Sequence, residues 1–413
     1  MTTVVLECDQ VVLPEGLAHD VQLTITDGVI SAVRVGPVPP DPPALGPATR
    51  VSGTVVPGFI DTHVHGGGGA DLATTDPDEA RRAIGFHRSH GTTTMFASLV
   101  TAELEVLCAQ LTALAGLCAA GELAGIHLEG PFLSEHKCGA HDPALLRPPT
   151  PAEVERLLDA GDGHLRMITV APELPGADAA IDRFVAAGVV VAVGHTDAGP
   201  EQVASALTSG ATVATHLFNA MPTIHHRIPG PVPLLLTDPG VMVELICDGV
   251  HVHPDVIALA IRAAGPSRVA LITDAMAAAG MPDGEYRIGD LHVHVNDAVA
   301  RLATPTGEPG SIAGSTLTMA DAFAYTVNVV GADLADAAVM AATTPAAWHG
   351  LVGRGAIDTG AVADLVVVDD LATTRAVMRQ GRWLTGPPGL ADWVGPTAVD
   401  GLTADDRPAG PGG

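Results

Sequence analysis

A (β/α)8 barrel with a small β-rich domain beside it is the fold that this 413-residue chain predicts, and three features point there. Between about residues 55 and 275, short β-branched runs alternate with Ala- and Leu-rich stretches of helical pattern, the rhythm of repeated β/α units. Titratable side chains stand at the ends of those runs, where a barrel collects its chemistry. Hydrophobic residues make up 47% of the chain but aromatics only 3%, which suits a core of small and β-branched side chains on many short elements.

The elements follow in order. Residues 1–55 hold alternating runs such as Val21-Gln22-Leu23-Thr24-Ile25 and Val29-Ile30-Ser31-Ala32-Val33, joined by Asp27-Gly28, which is hairpin material. The Pro-rich segment 38–43 reads as a loop. Barrel strands are expected at 55–65, 92–98, 123–129, 166–171, 189–195, 211–216, 242–248 and 268–274. Helices are clearest at 78–90, 101–120, 151–160, 177–187, 200–209 and 254–264, while the sixth connection, through Pro-rich 222–239, is less regular. Beyond the barrel, 284–302 alternates again, 320–330 and 333–349 read as helices, and 363–368 reads as a strand. The C-terminal β material is expected to pair with the N-terminal hairpins. The expected domains are therefore 1–55 plus about 350–385 (β-rich), 56–349 (barrel) and a Gly- and Pro-rich tail, 386–413.

Composition excludes several functions. A formal net charge of −27 argues against nucleic acid or an anionic membrane as partner, since both need a basic surface. The five cysteines are odd in number and lack a C-x-x-C pair, so neither a disulfide framework nor a zinc knuckle is suggested. The N-terminus has no basic segment followed by a long apolar one, and no stretch has the ~18 apolar residues of a membrane span. A cytoplasmic protein is expected.

The chemistry centres on Pro57-Gly58-Phe59-Ile60-Asp61-Thr62-His63-Val64-His65-Gly66. If this stretch is a strand, His63 and His65 share one face, with Asp61 a step below. Two imidazoles so placed can grip a metal ion and leave positions for water or substrate. Other expected strands end in Glu129, His195, His216 and Asp274. Four histidines and two carboxylates on one rim would be expensive to desolvate without compensation, and a metal site accounts for all six. His127 shares the parity of Glu129 one layer deeper and reads as a core histidine, and Asp61 has the same status beneath His63. Asp197 reads as a loop cap, and His292 and His294 as surface or domain-interface residues.

These strings, with His127-Leu128-Glu129-Gly130-Pro131-Phe132, Gly194-His195-Thr196-Asp197-Ala198, Thr215-His216-Leu217-Phe218-Asn219-Ala220-Met221, Asp248-Gly249-Val250-His251, Thr273-Asp274-Ala275-Met276 and Ala313-Gly314-Ser315-Thr316-Leu317-Thr318-Met319, resemble the amidohydrolase superfamily. Within it they resemble the N-acetylglucosamine-6-phosphate deacetylases. The resemblance implies that Glu129, His195 and His216 hold one divalent metal ion, Zn2+ suiting the mixed ligands, and that His63 and His65 hold a second bridged by Glu129. It implies a metal-activated hydroxide, Asp274 as catalytic acid/base and His141 approaching the substrate carbonyl. By position, Ala140, His141, Asn219, Ala220, Arg227, Asp248, His251, Ile312, Ala313 and Gly314 match ligand contacts, with Arg227 suited to a bidentate phosphate grip. Cys138, beside His141, is either a lid residue or an inert loop thiol. A homodimer acting on an amino-sugar phosphate is implied, with Arg227 serving its own site or the partner's.

Three alternatives remain beside that expectation. The epimer N-acetylgalactosamine 6-phosphate differs at one hydroxyl. A metal-dependent deaminase uses similar chemistry but needs no phosphate clamp. A non-enzymatic barrel with a structural metal would have no use for Asp274. A carbamylated-lysine bridge on strand 4 is disfavoured, because the chain's one lysine is Lys137.

Overall fold

The computed structural model describes residues 2–36, 48–304, 308 and 310–385; the expected loop at 38–43 and the tail 386–413 lie outside the described residues. Eight parallel strands run in chain order around a nearly closed barrel: Phe59–Asp61, Thr92–Val100, Gly125–Glu129, Leu165–Val170, Val190–Val193, Val213–Ala214, Met242–Ile246 and Val269–Ile272. Helices lie between them, and several begin where the sequence places proline after a short polar or glycine residue. Pro77 follows Asp76, whose carboxylate accepts from Asp78 N, and Pro151 follows Thr150, whose hydroxyl accepts from Glu153 N. Proline lacks the N–H that a helix's first turn leaves unpaired, so it fits there. The irregular sixth connection contains one short helix, Val232–Thr237.

The first and eighth strands do not pair as a ladder, and a side chain joins them instead. Asp61 accepts from Thr273 Oγ1 at 2.6 Å, from Thr273 N at 3.3 Å and from His63 N at 3.2 Å. Above it, Asp274 N donates to His63 O and His65 N to Ala275 O, both at 2.8 Å. Burial pushes the Asp61 carboxyl up to about 7, against the Thr273 hydrogen bonds that favour its ionised form. The residue read as lying beneath His63 is thus also the clasp of the barrel.

The barrel interior is layered. Phe96, Met167, Ala192, Val213, Met242 and Ala270 form an apolar floor against Trp348 and Leu351, with the Trp348 indole N–H donating to Thr212 O at 3.0 Å. Above lies a polar layer in which the His127 ring joins Ser98 Oγ and Thr169 Oγ1, each at 2.9 Å, and Thr169 meets Thr215 at 2.8 Å. His127 is therefore a satisfied core histidine, and burial holds its pKa well below the ordinary imidazole value.

The expected strand at 55–65 divides. Thr49–Pro57 belongs to a seven-stranded sheet with Thr3–Leu13, Gly16–Thr26 and Val29–Val35 on one side and Leu365–Val368, Thr374–Arg379 and Arg382–Trp383 on the other. Only Phe59–Asp61 enters the barrel. The break falls at Gly58, whose N–H donates to Asp364 O and where a Cβ would sit 2.3 Å from Thr93 Oγ1. The 284–302 region falls within the expected bounds of the barrel unit, 56–349, and adds a sheet of its own to it. Gly284–Ile288, Leu291–Asn296 and Val299–Leu302 form a separate antiparallel sheet rather than joining the N-terminal hairpins. Its inward face, Ile288, Val293, Val295 and Ala300, packs on Val100, Met276, Ala278 and Ala313 at the barrel rim. All five thiols are free, and among the described residues no helix is long and apolar enough to cross a membrane.

Candidate metal centre

His63 and His65 lie past the end of the first strand, in the loop leading to Gly66, and not within a strand. They still converge, because hydrogen bonds to the eighth strand's loop hold this segment, as described above. Gly66 O also accepts from His87 Nε2 at 2.8 Å, and a Cβ on Gly67 would lie 2.6 Å from that ring. The glycine run is thus required by the close approach of the helix Pro77–Ser89. His195, His216 and Asp274 each take positive φ, 46°, 25° and 50°, a region that L-residues rarely adopt and that recurs at functional sites. In each case the chain turns at the strand end and directs the side chain into the barrel mouth.

The candidate donor atoms crowd together. Glu129 Oε1 lies 3.1 Å from His195 Nε2 and 3.0 Å from His216 Nε2, and these two nitrogens are 3.0 Å apart. Glu129 Oε2 lies 3.2 Å from His65 Nε2, which is also 3.1 Å from Asp274 Oδ1 and from His63 Nε2. Glu129 therefore stands between the His195–His216 pair and the His63–His65 pair.

The far sides of the rings decide which atoms face inward. His195 Nδ1 meets Lys137 O at 2.8 Å and His65 Nδ1 meets Ser98 O at 3.2 Å, while His63 Nδ1 meets Glu244 Oε2 at 3.2 Å. Each acceptor places the proton on Nδ1. The Nε2 lone pairs then face one another and the Glu129 carboxylate, which is repulsive unless a cation lies among them. The donor set fits a divalent ion. Protons can also meet this demand: burial opposes a charged ring at His65, yet the Asp274 and Glu129 carboxylates carry its pKa up to about 9. Against burial, His63 above all, with His141, His195 and His216, holds Glu129 well below the carboxylate range. His63 and His65 draw Asp274 down to about 2, also against burial.

The cluster opens into a cavity of about 440 Å³ lined by His65, Glu129, His195, His216 and Asp274. Ala140, His141, Asn219, Ala220, His251, Ile312 and Gly314 line it as well, so most of the expected substrate contacts come together. Ala313 is buried behind this lining. Asp248 supports rather than lines, accepting from His251 Nδ1 at 2.6 Å. His141 Nδ1 accepts from Thr101 N at 3.3 Å, which leaves the proton on Nε2, and burial lowers its pKa to about 4, so the ring is a neutral donor. Arg227 is not brought in. It lies on an exposed stretch outside the lining, and its guanidinium has no acidic partner among the described residues. Asp197 faces Lys137 Nζ at 3.7 Å, Cys138 lines the cavity, and His292 and His294 are exposed. Glu244 was absent from the expected set. Its one sequence signal is a carboxylate in the middle of the apolar run Met242–Ile246.

With this geometry in place, comparison with known proteins defines the class. The chain belongs to the amidohydrolase family, whose model matches residues 54–397. It is 36% identical over 385 residues to the N-acetylgalactosamine-6-phosphate deacetylase of Escherichia coli O157:H7, covering 92% of this chain and 99% of the relative. It is also 36% identical over 373 residues to the N-acetylglucosamine-6-phosphate deacetylase of Vibrio furnissii, covering 88% and 90%. Among solved structures, a variant N-acetyl-D-glucosamine-6-phosphate deacetylase from Mycobacterium smegmatis, in complex with N-acetyl-D-glucosamine-6-phosphate, superposes with a TM-score of 0.88 at 46% identity, covering 94% of this chain and all of that one.

Proposed function

We propose that this protein removes the N-acetyl group of N-acetyl-D-glucosamine 6-phosphate, giving D-glucosamine 6-phosphate and acetate. The observation that carries the reading is the convergence of Glu129, His195, His216, His63, His65 and Asp274 at the mouth of a barrel whose relatives are named for this class of reaction. Glu129, His195 and His216 would hold one divalent ion, and His63 and His65 a second with Glu129 between them; Zn2+ suits mixed imidazole and carboxylate ligands. Such ions supply a water acidified to the neutral range and polarise the acetyl carbonyl.

The remaining steps fall to the chain's own residues. Asp274, ionised and 3.1 Å from His65 Nε2, accepts a proton at Oδ1 as the carbonyl carbon is attacked and returns it to the leaving amine nitrogen. His141 Nε2–H points toward Glu129 and the cavity, where it can donate to the carbonyl oxygen as charge builds there. Asn219 can offer an amide N–H to the sugar phosphate, and Asp248, accepting from His251 Nδ1, holds that ring in the cavity lining. Arg227 completes the phosphate grip from a second copy of the chain in a cytoplasmic homodimer; its exposure, and a guanidinium without an acidic partner among the described residues, support that placement.

A second reading, deacetylation of the galacto epimer, is favoured by the name of the Escherichia coli relative. Acetate release by the Zn2+-loaded protein tests both. The gluco 6-phosphate should be cleaved faster than the galacto 6-phosphate and far faster than unphosphorylated N-acetylglucosamine. Equal rates with and without phosphate would sink the phosphate grip, and a preference for the galacto sugar would select the second reading.

A further inference from the structure

Glu244 is wholly buried in the seventh barrel strand, on the interior face that it shares with Met242 of the floor. A lone ionised carboxylate in such a place is strongly disfavoured, and among the described residues no lysine or arginine is paired with it. Its two hydrogen bonds run upward. Thr62 Oγ1 donates to Oε1 at 3.1 Å, and His63 Nδ1 donates to Oε2 at 3.2 Å. Both partners donate, one to each carboxyl oxygen.

The other metal-facing histidines are supported differently. Backbone carbonyls orient His65 and His195, and His216 Nδ1 has no partner among the described residues. Among these four rings, His63 alone is backed by a carboxylate. A negative group on Nδ1–H fixes the tautomer and the ring plane and makes Nε2 a stronger donor. That Nε2 lies 3.1 Å from His65 Nε2.

We infer that Glu244 is the positioning residue that makes the His63–His65 pair a second metal-binding position, so that a side chain outside the cavity sets the metal count. The inference rests on the proposed metal centre but not on the identity of the sugar. The arrangement also gives a use to a carboxyl group retained inside the barrel: it meets the His63 ring on the side away from the proposed ion.

Equilibrium dialysis against Zn2+, with bound metal counted by mass spectrometry, tests this on wild type, Glu244→Gln, Glu244→Leu and the His63→Gln/His65→Asn double variant. Thermal midpoints and acetate release are recorded alongside. Wild type should bind two ions per chain and the double variant one. Glutamine can accept from His63 and donate to Thr62 but carries no charge, so its second-site affinity should fall about tenfold; leucine supports neither bond and should lose about 100-fold. The Glu129–His195–His216 position should keep its affinity in both. Unchanged second-site affinity in Glu244→Leu overturns the inference, and so does a single ion in wild type. If Glu244→Leu does not fold, Glu244→Gln decides, and wild-type affinity there overturns it. Failure of wild type to release acetate from either sugar phosphate would sink the functional reading alone, since the ion count still decides the role of Glu244.

Discussion

Mild acid should destabilise this protein through one buried imidazole. His87 is fully enclosed beneath the glycine loop that carries His65, its Nε2–H donating to Gly66 O at 2.8 Å and its Nδ1 without a partner among the described residues. A proton on Nδ1 would be buried and uncompensated, so burial lowers the pKa from 6.5 to about 4. In the unfolded chain the same ring titrates near its ordinary value. Between those limits the unfolded state binds a proton that the folded state does not, so stability is complete above about pH 6.5 and declines as pH falls, the loss being complete below about pH 4. A gap of about 2.5 pH units at ~1.4 kcal/mol each amounts to about 3.5 kcal/mol, of which ~2.5 kcal/mol is lost by about pH 4.5. His87→Gln keeps a donor for Gly66 O but cannot titrate. With metal chelated from both proteins, denaturant unfolding followed by far-ultraviolet circular dichroism at pH 7 and pH 4.5 should show wild type losing about 2.5 kcal/mol more than the variant. Other titrating groups, His349 among them, are common to both and cancel. Equal pH dependence, within ~0.5 kcal/mol, would refute a neutral His87.

Two further substitutions probe the site and the floor beneath it. Asp274→Asn preserves size but removes the proton acceptor, so turnover should fall by about 10²- to 10⁴-fold while Zn2+ binding by Glu129, His195 and His216 persists in dialysis; undiminished turnover would take Asp274 out of the reaction. His349 is buried with both ring nitrogens unpaired among the described residues and stands edge-on to Phe96, centroids 5.0 Å apart. His349→Phe keeps the ring and deletes both orphan groups, so it should raise stability by about 1–2 kcal/mol, seen as a higher thermal midpoint, and a lower midpoint would show that the nitrogens are satisfied.

The candidate site residues are legible in the sequence because each closes a local apolar run. Glu129, His195, His216 and Asp274 need only strand periodicity and the rule that barrels place chemistry at the carboxyl ends of their strands to be singled out. The barrel class follows from the same alternation. Where elements stop is less local. Residues 55–65 read as one strand, because nothing in the string reveals that Thr93 leaves no room for a Cβ at Gly58 or that Asp364 captures its N–H.

Tertiary structure alone decided the contacts across the barrel. Asp61 reaches Thr273 over 212 positions and His63 reaches Glu244 over 181, and no local pattern encodes a pairing between residues so far apart. The same reason accounts for the 284–302 sheet, whose alternation states that one face is buried but not against what. It also accounts for Arg227, whose chemistry suits a phosphate wherever it stands but whose loop the fold leaves exposed, outside the cavity. Sequence periodicity therefore determined which residues reach the rim, and closure of the barrel, which brings distant strands into one interior, decided what holds them there.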